Sequence, residues 1–503
     1  MNLLLYAFWT AHLLACRQAP AGTELHIRLT NAVGSYASRT GSPVHAVLIS
    51  PVIVDGETVL PMGAVIDGEV SAVKRVGFGI VHETASLAMN FDRVTLPGGE
   101  QIRLAARVTQ VDNARERVSR DGVIRGVRAT GSLCYRASGY IQAALEWEIH
   151  AELAEWFFRA LIIQLPEPEI YYPAGVELSL RLTKALVVSA PESQQWTLPS
   201  FTSVERDDLE PLVEQLPLRT EAVSGRPSDL INVMFIGSRQ QLATAFAAAG
   251  WAEPQPVSMR ARIRDIRAVA ERAGYGRAPM SALLLNHAEP DMAWEKGLND
   301  LSKRHHIRMW KQQKTWQGKE VWVGAATRDL DFAFFRPGQM MTHRVERNID
   351  DERDKVADDL LFTSCVDAAD WLDRDGAPRE IRNSTGDPMS TDARLAVLRL
   401  TDCTPPRFSA SSAPALPAHG SRMQRFARRE ILSMRSDLVR TNTYYRVYEA
   451  ARLAVEAVVR HYRNRADGGL AMLSSSRAVG RGMRRTTAPM STRTQSTTLL
   501  RMR

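Results

Sequence analysis

The sequence has few cysteines, and their spacing forms no recognisable site. Its 503 residues contain four, at Cys16, Cys134, Cys365 and Cys403. None belongs to a CxxC pair, which excludes the common zinc motifs, and four cysteines in so long a chain exclude a disulfide-stapled small fold. Cys365 and Cys403 are candidates for one disulfide, but we expect two buried free thiols there.

Long apolar runs and the common catalytic motifs are also missing. No segment reaches eighteen uninterrupted apolar residues, so we expect no integral transmembrane domain in the mature chain. The sequence contains no HExxH, no GxSxG, no Walker motif and no cysteine-based site. The enzyme classes that these motifs identify are therefore not indicated.

Acidic residues are absent from the last thirty residues, which hold seven arginines. The formal net charge of the chain is +8, so removing these seven leaves about +1 for the rest, and the basic character belongs to the tail. We expect residues 466–503 to form a disordered arginine-rich tail, with contact to anionic lipid or nucleic acid as the alternative. The basic loop at 112–128 interleaves acids and lacks stacking aromatics, so no specific nucleic-acid site is indicated.

The N-terminus, MNLLLYAFWTAHLLAC, is an apolar run too short to span a bilayer but of the length of a signal-peptide core. The residues before Cys16 resemble a lipoprotein processing box, which makes Cys16 a candidate for lipidation. Cleavage after Ala15 or near Ala21 is the alternative. We therefore expect residues 1–21 to be a signal or lipoprotein-like segment. The mature protein would be exported to the periplasm or anchored to a membrane of the envelope.

Residues 22–200 show the short alternating runs of a β domain. Turn signals at 55–56, 67–68 and 97–99 separate these runs, which predicts a β-barrel or sandwich. One strand pattern is repeated, because PAGTELHIRLT at 20–30 and PAGVELSLRLT at 173–183 match at eight of eleven positions. We expect the two copies to be neighbouring strands of one β domain. This region is similar to β-barrel segments of TrbI-type envelope secretion proteins.

The rest of the chain alternates helical and strand patterns, which predicts an α+β multi-domain protein. Ser238 and Gln241 predict a capping box at the start of a helix in the central domain. The expected segments after the signal are a β domain at 22–200 with a helical insertion at 135–172, a linker at 201–228, an α+β domain with a mixed sheet at 229–403, a second linker at 404–421, a C-terminal helical segment at 422–465 and the tail.

Polar side chains concentrate between residues 303 and 361. In the strand HHIRMW, side chains two apart share a face, so His306 and Arg308 point one way and His305 the other. Arg328 and Asp329 follow the next predicted strand, and His343 lies in the segment before the next helix.

That helix is predicted to begin at Asn348, an N-cap residue, with Asp351 and Glu352 in its first turn. Arg353 falls within the apolar stripe of the helix. Because a buried guanidinium needs a partner, we predict an ion pair. The candidate partners are Asp329, Asp331 and Glu352.

Two functions fit this cluster. We favour a non-enzymatic binding or accessory role, with envelope proteins or a membrane surface as partners. The alternative is a metal-dependent or acid–base hydrolase of a phosphate or ester, in which His306, Asp329 and His343 are the catalytic candidates. Convergence of these side chains in one pocket would favour the enzyme. The sequence identifies no cofactor and no metal, and it leaves the oligomeric state open. The binding or ion-pair candidates are Arg308, Arg328, Asp351, Glu352 and Arg353.

Several separated motifs resemble a known family. Five motifs occur in order from residue 228 onward: SDLINVMFIGS, AAAGW, KGLNDLSKRHHIRMW, RDLDFAF and IDDERDKVADDL. Together they resemble the LssY C-terminal domain over roughly residues 229–400. The resemblance implies a domain whose biochemical activity is not established. Some relatives also carry DedA-like and phosphatidic-acid-phosphatase-like domains, which are missing here, so the resemblance does not imply phosphatase activity.

Overall fold

A computed structural model describes most of the chain between residues 15 and 455. The described ranges are 15–131, 165–190, 197–255, 280, 282–297, 303–336, 339–403 and 417–444, with residues 447–448, 451 and 454–455. The helix expected inside the 135–172 insertion, Cys134, most of the 404–421 linker and the predicted tail lie outside them. The chain divides into two compact units, Met1–Ser433 and Met434–Arg503. Everything described below lies in the first unit, apart from the last residues of the C-terminal helix.

Strands dominate the described residues, which also contain four α-helices. The helices are α1 (Ser203–Glu214), α2 (Arg239–Ala248), α3 (Asp350–Phe362) and α4 (Arg422–Thr441), which lies within the predicted C-terminal helical segment. No helix in these ranges carries an apolar stretch long enough to cross a bilayer. The first fourteen strands are β1 (Ala15–Ala19), β2 (Glu24–Leu29), β3 (Val33–Gly34), β4 (Pro43–Leu48), β5 (Val52–Val54), β6 (Glu57–Leu60), β7 (Val65–Lys74), β8 (Ser86–Thr95), β9 (Gln101–Val111), β10 (Arg117–Val118), β11 (Ile124–Arg125), β12 (Tyr171–Tyr172), β13 (Glu177–Leu182) and β14 (Leu186–Ala190). The other twelve are β15 (Arg219–Ala222), β16 (Pro227–Leu230), β17 (Val233–Ile236), β18 (Leu283–Leu284), β19 (Met292–Lys296), β20 (Arg304–Trp316), β21 (Lys319–Arg336), β22 (Gln339–Val345), β23 (Val366–Asp373), β24 (Glu380–Arg382), β25 (Pro388–Ser390) and β26 (Arg394–Leu400).

The N-terminal β domain is a closed barrel. Its six strands pair in the order β8-β7-β4-β2-β13-β9, and a pairing between β8 and β9 closes the ring. The two repeated segments are the neighbouring strands β2 and β13, as predicted, and they pair antiparallel with Leu25 opposite Leu180 and Ile27 opposite Leu178. These four side chains are buried in the barrel core, because alternate residues of a strand point to the same side.

One of the predicted barrel turns is wrong. Asp67 and Gly68 lie inside β7, where the pairing with β8 shifts by one residue. A Cβ atom at Gly68 would lie 2.1 Å from the Asn90 carbonyl oxygen, so only glycine fits this close approach of the two strands. The glycine that resembled a turn signal is therefore a bulge position.

The central domain has a mixed sheet between helices. The order is β19-β20-β21-β17-β26-β23, with β22 added on β21, and β17 and β26 form its parallel pair. Helices α2 and α3 pack on one face, through residues such as Phe246 and Leu360, and α1 packs on the other through Leu209 and Val213. The segment 201–228 is therefore not the linker expected from its composition. It contributes α1, β15 and the start of β16 to this domain.

Cys365 and Cys403 form a disulfide, so the expectation of two free thiols is wrong. Their Cα atoms are 4.9 Å apart. Cys365 directly precedes β23 and Cys403 follows β26, and these adjacent strands are antiparallel with Val366 opposite Leu400. The sheet order therefore brings the two cysteines together, which their spacing of 38 residues did not indicate.

Candidate functional site

A cavity of about 590 Å³, lined mainly by charged and polar residues, lies between the barrel and α3. The two repeated strands form one wall, and the first three turns of α3 form the opposite wall. Preformed concave sites with convergent polar groups are the usual locations of ligand binding. The polar residues that these elements contribute are Glu24, His26, Glu177 and Ser179 from β2 and β13, and Asp351, Glu352, Asp354, Lys355, Asp358 and Asp359 from α3.

The two-faced sequence of α3 explains why the helix presents charges to the cavity. Val356 and Leu360 pack on the sheet, whereas Asp351, Lys355 and Asp358, spaced four and three apart, lie on the cavity side. The predicted N-cap at Asn348 is wrong. The cap position is occupied by the next residue, with no side-chain cap hydrogen bond, and the Asn348 Nδ2 atom instead donates to the Asp351 Oδ1 atom at 2.7 Å.

Glu177 is the centre of a buried ion-pair network at the base of the cavity. Its Oε1 atom accepts hydrogen bonds from Arg28 Nη2 and Lys296 Nζ, each at 2.7 Å, and Lys355 Nζ lies 2.8 Å from its Oε2 atom. Burial alone would raise the pKa of Glu177, but the three cations hold it well below its usual range. Glu177 is therefore ionised at neutral pH.

Asp359 completes this network from the α3 side. Its Oδ2 atom accepts from Lys296 Nζ at 2.9 Å and from the Trp251 indole at 2.9 Å, and Arg28 Nη2 lies 3.1 Å from its Oδ1 atom. Lys355 Nζ is 2.7 Å from the same carboxylate. The network thus joins the barrel to the central domain through charges that have left water, and such charges need all their partners.

A second network, next to the first, is centred on His305. The Nε2 atom of His305 lies 2.8 Å from Asp112 Oδ2, and its Nδ1 atom lies 2.5 Å from Glu352 Oε2. Arg328 Nη2 donates to Asp112 at 2.8 Å. Although burial lowers it, the two carboxylates raise the pKa of His305 to about 9. At neutral pH the ring is therefore a cation whose nitrogens both donate, so it has no lone pair for a proton or a metal ion.

Two acids of the cavity, Asp351 and Asp358, form no ion pair among the described residues. Burial, together with Asp354 and Asp359, raises the pKa of Asp358 to about 7, although Ser50 Oγ donates to it at 2.5 Å. Burial and neighbouring acids also raise the pKa of Asp351. Glu352 is only 2% exposed, and its Oε1 atom has no hydrogen-bond partner among the described residues. Asp351 and Asp358 are therefore harder to ionise than ordinary carboxyl groups.

The structure places two of the predicted catalytic residues, His306 and Asp329, outside the cavity. His306 Nε2 donates to Asp329 Oδ1 at 3.1 Å, and Asp329 also accepts from Arg304 Nε at 3.2 Å. Arg308 Nη1 lies 3.4 Å from His306 Nδ1. This buried cluster lies on the face of β20 opposite His305, and neither His306 nor Asp329 lines the cavity. The side chain of His343 lies outside the described residues, so the three are not shown in one pocket.

Arg353 forms the predicted buried ion pair, but with acids other than Asp329 and Glu352. Arg353 is 1% exposed. Its Nη1 atom donates to Asp392 at 2.6 Å and to Asp350 at 3.2 Å, and its Nε atom donates to Asp354 at 2.8 Å. Two of the expected partners have other cations, and the side chain of the third, Asp331, lies outside the described residues. The guanidinium points to the loop before β26, a direction that helical spacing does not specify.

The remaining predicted residues divide between the cavity and the N-terminal strand. Arg328, Asp351 and Glu352 line the cavity. The backbone of Cys16 lies in β1, opposite Ser189 of β14, and its lipidation stays a prediction. No three histidine, cysteine or acidic side chains in the described ranges converge closely enough to hold a metal ion.

Sequence reasoning missed several residues of this site. Glu177 could have been found from the repeat, because it occupies the position of Glu24 in the second copy. Lys355 and Asp358 could have been found from their place on the polar face of α3. No local pattern pointed to Asp112, because its partner His305 is 193 residues away in the sequence.

One family model matches part of the chain. Residues 213–395 match the family model described as LssY C-terminus, which confirms the resemblance found in the sequence. No curated protein matches the chain. Among solved structures, ComB10 of the Com type IV secretion system of Helicobacter pylori is similar over 35% of this chain and 93% of its own, with 12% sequence identity and a TM-score of 0.20.

Proposed function

We propose that this chain is an envelope-associated protein with a non-enzymatic binding role, and that the cavity between the barrel and α3 is its ligand-binding site. One observation carries the proposal: buried ion pairs join the two domains at the base of a cavity of about 590 Å³ that is lined mainly by charged and polar residues. A site that is formed before the ligand arrives avoids the entropic cost of ordering its walls.

The chemistry of the lining favours binding over catalysis. A general base must have a free lone pair, and His305 has none while it is paired on both ring nitrogens. The other cavity histidine, His26, lies with its Nδ1 atom 3.3 Å from Ser179 Oγ. No described carboxylate hydrogen-bonds to His26, so the third group that orients an activated serine is missing from this pair. Their contact follows from the register of β2 and β13, which places them opposite each other.

Placement in the envelope has separate support. The N-terminal segment resembles an export signal, and the Cys365–Cys403 disulfide is of the kind that persists in oxidising compartments. When the protein is recovered from its host after acid trapping of thiols, Cys365 and Cys403 should both be oxidised. A phosphatase that is active only in the periplasm, fused after residue 21, should be active. Reduced cysteines together with an inactive fusion would contradict export.

The binding site is tested by filling it. Ser179→Trp places a bulky ring in the cavity, whereas Ser71→Trp makes the same change on an exposed position of β7. We expect native mass spectrometry of the full chain purified from its host to detect a bound small molecule in the wild type and in Ser71→Trp, but not in Ser179→Trp. Equal occupancy in all three proteins would refute the assignment of the cavity.

A further inference from the structure

We infer that one end of the barrel docks on an anionic membrane surface. The docking surface consists of the tip, residues 76–82 between β7 and β8, and of the part of α4 beside it, residues 422–433. The inference rests on the proposed association with the envelope, for which it names the surface and the charge of the lipid, and it does not involve the cavity. Its basis is a group of apolar side chains held in water beside exposed cations.

Three apolar side chains of the tip are exposed to water. Phe78 is 48% exposed, Ile80 67% and Val81 69%. They lie within four residues of one another, so their exposed surfaces are adjacent. An exposed apolar patch on a folded protein marks a surface that a partner or a membrane covers, whereas scattered single side chains do not. The tip is therefore a candidate docking surface.

The backbone of the tip is fixed, so a loose loop does not account for these exposed side chains. Two backbone N–H groups of the tip donate to the Oε1 atom of the buried Glu169, each at 3.0 Å. Arg428 of α4 donates to the Gly77 carbonyl oxygen. Leu432 of α4 packs on Gly79, where a Cβ atom would lie 2.6 Å from it. Buried hydrogen bonds and the helix thus hold the tip in place while its apolar side chains remain in water.

Helix α4 adds exposed apolar side chains and positive charge beside the tip. Its barrel side is formed by Gln424, Arg428 and Leu432, spaced four apart. Met423 and Phe426 lie on other faces and are 76% and 46% exposed. Between residues 422 and 433 the helix carries four arginines and one acid. Large apolar side chains among arginines are typical of helices that bind at the boundary between lipid headgroups and acyl chains.

The charge around the tip favours an anionic membrane over the other occupants. Lys74 and Arg75 directly precede the tip, and both are exposed. Glu83, the acid that follows it, pairs with Arg128. Cations near a membrane are attracted to anionic headgroups, and each one adds to the affinity. A second copy of this chain would bring the same positive charges face to face, so electrostatic repulsion disfavours it.

The test measures binding of the full chain to lipid vesicles by co-sedimentation. One set of vesicles is phosphatidylcholine with about 30% phosphatidylglycerol, and the neutral set is phosphatidylcholine alone. We expect the wild type to bind the anionic vesicles at least ten-fold more tightly than the neutral ones. Binding should weaken as the salt concentration rises, because salt screens the attraction between exposed charges.

The apolar contribution is tested by replacing Ile80→Asp and Val81→Asp together. We expect binding to the anionic vesicles to weaken at least ten-fold, because two carboxylates would replace the apolar groups that enter the lipid boundary. Val204→Asp makes the same kind of change at an exposed apolar position of α1 and should leave binding unchanged. All three positions are exposed, so the variants should unfold like the wild type.

The contribution of charge is tested at Arg422, an exposed arginine of α4. We expect Arg422→Gln to weaken binding to the anionic vesicles several-fold and to leave binding to the neutral vesicles unchanged. Arg226→Gln removes an exposed arginine of the central domain and should change neither.

The outcomes separate this inference from the proposed function. A wild type that binds neither set of vesicles, with the export assays positive, would overturn the docking surface and leave the envelope placement and the cavity as proposed. Equal binding to both sets would overturn the choice of anionic lipid. Binding that the variants of the tip and of Arg422 leave unchanged would assign it to another basic segment, such as the tail, and contradict the inference. Absence of binding together with a less stable Ile80→Asp and Val81→Asp variant would show that protein covers the tip, from residues 132–164 or from a second copy, and would also overturn it.

Discussion

Arg353 illustrates how a charged residue is accommodated on the buried face of a helix. Its guanidinium contacts Asp350, Asp354 and Asp392, so its removal leaves three acids arranged around an absent cation. We expect Arg353→Ala to lower the free energy of unfolding by about 3–5 kcal/mol, measured by urea denaturation.

The control for this substitution is Arg347→Ala. Arg347 pairs with Glu380 at a site where both side chains are mostly in water, and such pairs contribute about 0–1 kcal/mol. If the two substitutions lower the free energy of unfolding by the same amount, the buried ion pairs of Arg353 contribute no more to stability than an exposed pair.

His305 predicts a pH dependence of stability. The pKa of His305 is raised from its ordinary value of 6.5 to about 9 in the folded protein. Its ion pairs therefore contribute fully to stability below pH 6.5, and this contribution is lost as the pH rises through 9. We expect the wild type to lose up to about 3 kcal/mol over this interval, and His305→Gln to lose much less.

The comparison is made on slopes of unfolding free energy against pH, because His305→Gln also leaves Asp112 and Glu352 without their shared cation and should be less stable throughout. His287→Gln removes a solvent-exposed histidine and should keep the wild-type slope. A His305→Gln slope equal to that of the wild type would show that the ring is not held as a cation.

The repeated strands provide a matched experiment at the scale of the element. Their antiparallel pairing sets Glu24 opposite Arg181 and Glu177 opposite Arg28, so the same glutamate–arginine pair occurs twice, related by a local two-fold arrangement. The first pair is half exposed, and the second is buried against α3. We expect Glu177→Gln to cost about 3–5 kcal/mol and Glu24→Gln less than about 1 kcal/mol in thermal or urea unfolding. Equal costs would mean that burial does not distinguish the two pairs.

The disulfide joins the two strands at the edge of the central sheet. Closing a loop of 38 residues restricts the unfolded chain, and a disulfide of this kind contributes about 2–4 kcal/mol. Cys403→Ser should lower the unfolding midpoint by the corresponding amount. Dithiothreitol should have the same effect on the wild type and none on the variant. Identical wild-type unfolding with and without the reductant would contradict this contribution.

Elements whose signals are local could be predicted from the sequence. The capping box of Ser238 and Gln241 is present, both of its hydrogen bonds included, and the alternation of His305 and His306 across β20 places them on opposite faces. The assignments that failed depended on neighbours distant in sequence. Gly68 is explained only by the approach of β8, and the disulfide only by the order of β23 and β26.

The candidate site itself belongs to the scale of the whole molecule. Arg28 and Asp359, which meet at its base, are 331 residues apart in the sequence, so no window of sequence contains both. The sequence identified polar faces on α3 and β20, but it could not show that the barrel covers them. The charged residues of these faces resembled a solvated surface or a catalytic cluster. In the structure they form the contact between the two domains and the wall of the cavity.

This contact predicts that the barrel and the central domain stabilise each other. Residues 201–403 alone would lose Arg28, Glu177 and Asp112, and the charged face of α3 that these residues contact would be exposed to water. We expect this fragment, if it folds, to unfold at a lower temperature than the full chain, and we expect residues 15–403 of the full chain to unfold in one calorimetric transition. Two transitions, one at the temperature of the fragment, would contradict the coupling.

A substitution at Lys355 sharpens the test, because its effect should depend on the barrel. In the full chain Lys355 is one of three cations that share Glu177 and Asp359, so Lys355→Met leaves two carboxylates buried with fewer partners and should cost on the order of 3 kcal/mol. In the fragment Glu177 and Arg28 are absent, and Lys355 faces Asp359 in water, where such a pair contributes about 0–1 kcal/mol. There the same substitution should cost less than about 1 kcal/mol. An equal loss of unfolding free energy in both contexts would show that the network contributes within the central domain only, and that it does not join the two domains.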